Sequence, residues 1–340
     1  MNYVIFNDGF KDLSRLFFLD VENSNNVRVI RRNNIFKFSF LNFICKAHLS
    51  HRMNNKYSLP FKKIWYKKLL NINFEKEDTV CFIITADWYY PDFLKYIKTR
   101  YPNSKFVFYF SDTVESKLNK ISYMDVTQMK KKFDLILSYN MSDVKKYDFI
   151  YTSIPYSFVP EEWRREIQEY EEVDVLFIGA ARNRIGEIET AYKKLTKAKL
   201  KCFFYIVDKN YSSKQVKEGI IYSPHAMPFK EFMGRTMAAN CILEILDKGT
   251  TGSTLRFWDA IMYNKKLLTN YPYTKKSKFY NPNYIQYFTL PEEIDIEFFK
   301  TENAIDYKYM GENSPETFLS LISSQLQKKD LLQVTNKDRG

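Results

Sequence analysis

Between Ala238 and Asn270 the chain reads AANCILEILDKGTTGSTLRFWDAIMYNKKLLTN, and this order narrows the fold more than any other segment. Cys241 to Leu246 is a short apolar run suited to a buried strand. Gly249 to Thr254 is a hydroxyl-rich loop bracketed by glycines. A helical pattern carrying Arg256 and Asp259 follows, and Lys266 to Thr269 is a second strand. Strands alternating with helices call for a parallel sheet joined by crossovers. A small-residue loop between a strand and a helix N-terminus aims free N–H groups and the helix dipole at one spot, which favours an anion. The expected ligand of this segment is therefore phosphorylated.

The same rhythm runs through the chain. Strands are expected at Asn2–Phe6, Val27–Ile30, Thr79–Thr85, Lys105–Phe110 and Asp134–Ser138, then at Asp174–Ile178, Cys202–Val207 and Gly219–Tyr222. Helices are expected at Pro91–Tyr101, Gly186–Lys199, Pro228–Asn240 and Pro315–Lys328. A length of 340 residues suits two domains rather than one core. The charged stretch Pro160–Glu172 reads as a linker helix. The expected division is an N-terminal Rossmann-like domain over 1–158, a linker over 159–172, a C-terminal domain over 173–312, a closing helix over 313–330 and a loose tail over 331–340. The fold class is α/β, two Rossmann-like domains with parallel sheets facing a cleft. Ligands of such open sheets bind at the carboxyl ends of the strands.

Charge is unevenly placed. The net balance is +12, and Arg28 to Asn73 holds eleven Lys or Arg with no Asp or Glu. Aromatic residues interleave with these cations, as in Pro60-Phe61-Lys62-Lys63-Ile64-Trp65-Tyr66-Lys67-Lys68. This composition suits an anionic membrane surface or a polyphosphate, with Arg31, Arg32, Lys62, Lys63, Trp65, Lys67 and Lys68 as contacts. A solvated basic face over an aromatic core reads equally well. Nucleic acid is not an expected partner, because the charge is confined to one window and no recognised motif accompanies it. No secretory leader and no spanning run is expected. The four cysteines, Cys45, Cys81, Cys202 and Cys241, are widely spaced and read as reduced thiols.

Three further constellations carry chemistry. Gly179-Ala-Ala-Arg182-Asn183-Arg184 follows a strand, so Gly179 allows close approach and Arg182 and Arg184 offset the charge of a departing diphosphate. An exposed basic turn is the plainer alternative. On the glycine-bracketed loop, Thr251, Gly252, Ser253 and Thr254 face the anion, Arg256 pairs with phosphate and Asp259 accepts from ribose hydroxyls. The alternative is a plain turn, a helix cap and a surface Arg256–Asp259 pair. His225 follows a strand and either contacts a base or ribose or has a positional role. Asp87 and Asp112 each follow a strand of the first half, where a carboxylate could take a proton from an acceptor hydroxyl. No Asp-x-Asp, Walker loop, His-Glu-x-x-His or Gly-x-Ser-x-Gly is present, and no metal site is expected.

The runs DVLFIGAARNR (174–184), MPFKEFMGRTMAANCILEIL (227–246) and GSTLRFWDAIMYNKKLLTN (252–270) resemble GT-B glycosyltransferases, of the family 1-like or CgeB-like group found in bacterial capsule and lipopolysaccharide gene clusters. The likeness covers about a third of the chain, all in its second half, and fades after FYNPNYI (279–285). It implies a nucleotide-diphosphate sugar on the C-terminal domain, with Gly252, Ser253 and Thr254 at the diphosphate. Asp259 stands where the family has a ribose-binding Glu, and Thr251 where it often has a first Glu. The family uses no metal cofactor. Its members dock on the cytoplasmic face of the plasma membrane through a basic, aromatic N-terminal domain and act on polyprenyl-linked glycans in surface polysaccharide assembly. A catalytically inactive scaffold or polyanion binder, and a nucleotide-sugar epimerase of the same fold, are the rival expectations.

Overall fold

The computed structural model describes the chain except residues 9–12, 32–35, 37–38, 58, 73, 75–77, 301–303 and 338–340. Two compact units result. One comprises 1–157 together with 313–340, the other 158–312.

The first unit is built on six parallel strands, β1 (Asn2–Phe6), β2 (Val27–Ile30), β3 (Val80–Thr85), β4 (Lys105–Phe110), β5 (Leu135–Ser138) and β6 (Ile150–Tyr151). Their order is β2-β1-β3-β4-β5-β6. Every residue of β3 is buried, as expected for a central strand covered on both faces. The side-chain period of two sorts its residues: Val80, Phe82 and Ile84 join the core on one face with Phe6, Phe106 and Phe108. Cys81 and Ile83 join the other with Tyr3, Ile5, Val107 and Tyr109. That second face is closed by Phe318, Leu319, Ile322 and Leu326 of the C-terminal helix Pro315–Lys337. The chain thus leaves this unit after 157 and comes back to complete it at 313.

The second unit has seven strands, β7 (Val173–Ala180), β8 (Cys202–Val207), β9 (Gln215–Lys217), β10 (Ile220–Ser223), β11 (Ala239–Glu244), β12 (Lys266–Thr269) and β13 (Ile285–Tyr287), in the order β13-β12-β11-β7-β8-β10-β9. All pairings are parallel except that of β9 with β10. Val175, Phe177, Cys241 and Leu243 face one core, and Leu176 and Ile178 the other.

Three expectations change. The stretch expected to be a linker helix is helical only over Glu161–Arg164 and belongs to the second unit. The tail expected to be loose from 331 continues as helix to Lys337, just after Asp330 pairs with Lys105 at 2.6 Å and Lys329 donates to the Asp134 carbonyl at 2.7 Å. Strand β11 begins and ends two residues earlier than its apolar run, because Glu244 closes it. The cysteines are free thiols, three buried and Cys202 half-buried.

Candidate functional site

In the second sheet, strand order reverses between β7 and β11: β8 and β10 lie on one side, β12 and β13 on the other. Crevices at such reversals are where open α/β sheets bind ligands. The two glycine-containing loops singled out in the sequence are the loops that leave these two strands. Charged side chains stitch them together. Arg182 pairs with Asp247 at 2.7 Å, and Asn183 Oδ1 accepts from the Lys248 N–H at 3.5 Å. Arg184, only 6% exposed, donates to the Ile245 carbonyl and, at 3.2 Å, to that of Ala180. Arg256 donates from Nη1 to the Ile178 carbonyl at 3.1 Å and lies over the Phe177 ring at 5.5 Å.

Gly179 is there for Arg256. A Cβ on Gly179 would stand 2.9 Å from Arg256 Nη1, so any other residue there would push the guanidinium away from the end of β7. Arg182 itself adopts φ 45°, the left-handed region, within the turn that follows β7.

Burial disfavours the charge on both inner arginines. It pulls Arg184 down to about 9, with repulsion from Arg256 adding to the effect, and it lowers Arg256 as well. We read these shifts as electrostatic stress on guanidinium groups that stay charged. The Nε atoms of Arg184 and Arg256 are buried with no hydrogen-bond partner among the described residues. An anion at the strand reversal would offset that stress.

The organising residue of this site is one the motifs did not single out. Glu244 ends β11 fully buried. Its Oε1 accepts from the Thr254 N–H at 3.1 Å and from the Thr254 hydroxyl at 2.5 Å. Its Oε2 accepts from the Thr269 hydroxyl of β12 at 2.6 Å. One carboxylate thus fixes the end of the glycine loop against the neighbouring strand. The only hint in the sequence is an acid set in a run of apolar residues.

This arrangement corrects the picture of a helix start with open N–H groups. Thr254 caps the helix Leu255–Met262 by accepting from the Arg256 N–H at 3.2 Å, and its own N–H goes to Glu244. Two of the donors expected for a phosphate are therefore used internally. Gly252 and Ser253 are buried and Thr251 half-buried. Asp259 is buried too, so Arg256 and Asp259 are not a surface pair. His225 stands exposed past the end of β10, two strands out from β7. There its carbonyl accepts from Tyr205 at 3.0 Å and Ser223 at 3.1 Å.

In the first unit, Asp87 and Asp112 follow adjacent strands, β3 and β4, and converge on one cation. Lys117 Nζ lies 3.9 Å from Asp87 and 3.8 Å from Asp112. Their environments differ. Asp112 accepts from the Thr113 N–H at 2.9 Å and the Ser116 hydroxyl at 3.3 Å, which commits it to the start of its own helix. Asp87 lines a pocket of about 380 Å³ with His51, Arg52, Asn55, Lys117, Lys120 and Ile121.

The basic window resolves into two kinds of residue. Lys63, Lys67 and Lys68 are exposed on the helix Lys63–Leu69, beside exposed Ile64 and Phe61. Phe40 and Phe43 are also exposed. Lys62 pairs with Asp92 at 3.4 Å, and Arg31 pairs with Glu22. Trp65 turns inward, contrary to expectation: its ring meets Phe36 edge-on at 5.6 Å and its Nε1 donates to His48 Nδ1 at 2.5 Å. Arg32 lies outside the described residues. Among the described residues no helix is long and apolar enough to cross a membrane.

No protein-family model matches the chain, and no curated protein matches it in sequence. Solved structures match it in shape. A UDP-forming trehalose-phosphate synthase from Burkholderia xenovorans superposes with a TM-score of 0.53 at 10% identity, over 96% of this chain and 99% of that one. The kitacinnamycin glycosyltransferase gives 0.49 at 7% identity over 96% and 99%. A UDP-N-acetylglucosamine 2-epimerase from Rickettsia bellii gives 0.45 at 12% over 99% and 97%. The first of these, with the two Rossmann-like sheets, establishes the two-domain α/β GT-B fold. At such identities the likeness concerns fold alone.

Proposed function

We propose that the protein is a glycosyltransferase whose second unit holds a nucleotide-diphosphate sugar and whose first unit holds the acceptor. The observation that carries this reading is the strand reversal between β7 and β11, where Arg182 and Arg184 tie Gly179–Arg184 to Asp247 and Ile245, and Glu244 fixes Thr254 at the end of the following glycine loop. Fixed cationic groups at such a point suit a diphosphate, both bound and departing. Arg182 reaches the surface and is the guanidinium placed to exchange Asp247 for a phosphate. Asp259, on the following helix, accepts from the ribose hydroxyls.

In the reaction a carboxylate takes the proton of the acceptor hydroxyl as its oxygen attacks the anomeric carbon. The sugar–diphosphate bond breaks, and the nucleoside diphosphate leaves with both bonding electrons. Asp87 is the better candidate for this base, because it lines a pocket while Asp112 serves a helix start. Transfer proceeds without a metal cofactor. The acceptor is a polyprenyl-linked glycan of capsule or O-antigen assembly, presented at the inner face of the plasma membrane. The exposed Lys63, Lys67 and Lys68 with Phe61 and Ile64 form the docking face. That face predicts co-sedimentation with phosphatidylglycerol vesicles, abolished by K63E/K67E/K68E. Equal sedimentation of the variant would remove the membrane role.

The decisive experiment is a thermal-shift series with UDP, GDP, CMP and dTDP and their sugars, with and without EDTA. A ligand that binds only the native state raises Tm by mass action. A shift with one nucleoside diphosphate that survives EDTA supports the donor site and its independence of metal. No shift with any of them refutes the donor site.

A further inference from the structure

The pocket of the first unit has a charge pattern that the transfer reaction alone does not require. Its wall brings together Arg52, Lys117 and Lys120 from two distant stretches of the chain, with Asp87 as its carboxylate and His51 and Asn55 as further polar groups. Lys117 is shared between Asp87 and Asp112 at 3.9 and 3.8 Å, so much of its charge is already answered. Among the described residues Lys120 reaches only the Ser116 hydroxyl, at 3.2 Å, and neither Lys120 nor Arg52 has an ion pair. The wall itself is firm. The His51 ring stacks on Tyr90 at 4.9 Å and hydrogen-bonds through Nδ1 to the Tyr123 hydroxyl, while Asn55 ties the two stretches by accepting from the Ser122 N–H at 3.1 Å and donating to the Lys120 carbonyl at 2.7 Å.

We infer that this pocket binds a phosphate group, held chiefly by Arg52 and Lys120 with Lys117 behind them. Two cations without carboxylate partners on a firm polar wall match a phosphate oxygen set, and the guanidinium of Arg52 supplies paired donors. A volume of about 380 Å³ leaves room beyond the phosphate for the group that carries it. On the transferase reading, on which this step rests for its meaning, the acceptor is a phosphorylated molecule whose phosphate seats here and brings a hydroxyl toward Asp87. The same residues explain a part of the basic window that no membrane contact requires, because Arg52 belongs to it.

The test is hydrogen–deuterium exchange of the full chain with inorganic phosphate. Peptides spanning 51–57 and 117–122 are expected to gain protection, with those spanning 249–256 unchanged. In R52S/K120S, two surface changes, the protection should fall at least tenfold in phosphate affinity while Tm stays within about a degree of wild type. The inference is overturned if those peptides gain no protection in the wild-type protein with either inorganic phosphate or phosphatidic acid vesicles, or gain it equally in the variant. Vesicles containing phosphatidic acid, set against phosphatidylcholine alone, separate the sources: protection by free phosphate points to a soluble phosphorylated acceptor, and protection by the vesicles alone to a lipid-borne one. UDP added to the same samples reads the donor site through 249–256. A failure there would refute the donor reading without touching the phosphate pocket.

Discussion

The carboxyl ends of the two sheets use similar residue types in opposite ways. At the reversal of the second sheet the charges are buried and held at short range: Glu244 accepts three hydrogen bonds, and Arg184 and Arg256 lie across strand ends. At the end of the first sheet, Asp87, Lys117 and Lys120 stand at a pocket with ion-pair distances near 4 Å. A locked arrangement suits a ligand that is the same in every turnover, as a nucleotide diphosphate is. A pocket with longer, partly exposed ion pairs suits a partner that varies in shape. On the proposed reading the two ends carry separate duties, which predicts where mutation costs stability and where it costs only activity.

The largest effect should come from Glu244→Ala. It leaves Thr254, Thr269 and the nearby Arg256 without their buried carboxylate, and removing one partner of such a buried charged group costs about 3–5 kcal/mol. Urea unfolding would measure it. A loss under about 1 kcal/mol would mean the second site is not locked at all. Next is Arg184→Ala. Loss of one electrostatic donor typically costs about 2.7–4 kcal/mol of transition-state stabilisation, so turnover should fall a hundredfold or more. Turnover near that of wild type would leave Arg184 only its bonds to the Ile245 and Ala180 carbonyls.

Smaller effects sharpen the contrast. Thr254→Ala removes a helix cap worth about 1 kcal/mol and should weaken nucleotide binding along with Tm, because the same hydroxyl positions the loop. Calorimetric titration with the preferred nucleotide would show whether binding and stability move together. Asp87→Asn should change stability least, within about 0.5 kcal/mol, since its pairing with Lys117 is partly exposed and long. Its transfer rate should nonetheless collapse. A variant that loses stability but keeps its rate would reverse the assignment of duties.

Much of the framework could be read from the chain. Strands β1, β2, β4, β8 and β12 occupy the expected residues, because each is a short apolar stretch between turn or helix signals, nearly unbroken where both faces are covered, as in β4. The short edge strands β6, β9 and β13 were missed, since two or three residues hold no pattern. Trp65 was misplaced by its lysine neighbours: adjacent helix positions point different ways, and Trp65 turns inward with buried Tyr66 while Lys67 and Lys68 are exposed. Glu244 was overlooked because a lone acid in an apolar run has no motif. The pocket was invisible for another reason. His51, Asp87 and Lys117 come from three separate segments, and only the folded sheet brings them together.

The return of the chain to its first unit at residue 313 bears on how the protein is made. The second unit is contiguous in sequence and can fold while the ribosome is still at work. The first must wait for it. One face of its sheet is covered by Phe318, Leu319, Ile322 and Leu326, which follow the whole second unit in the chain. Until those residues are made, Tyr3, Ile5 and Val107 lie on a bare apolar surface. A stop codon before residue 315 would therefore leave a finished second unit joined to an N-terminal portion whose bare sheet face attracts chaperones and proteases.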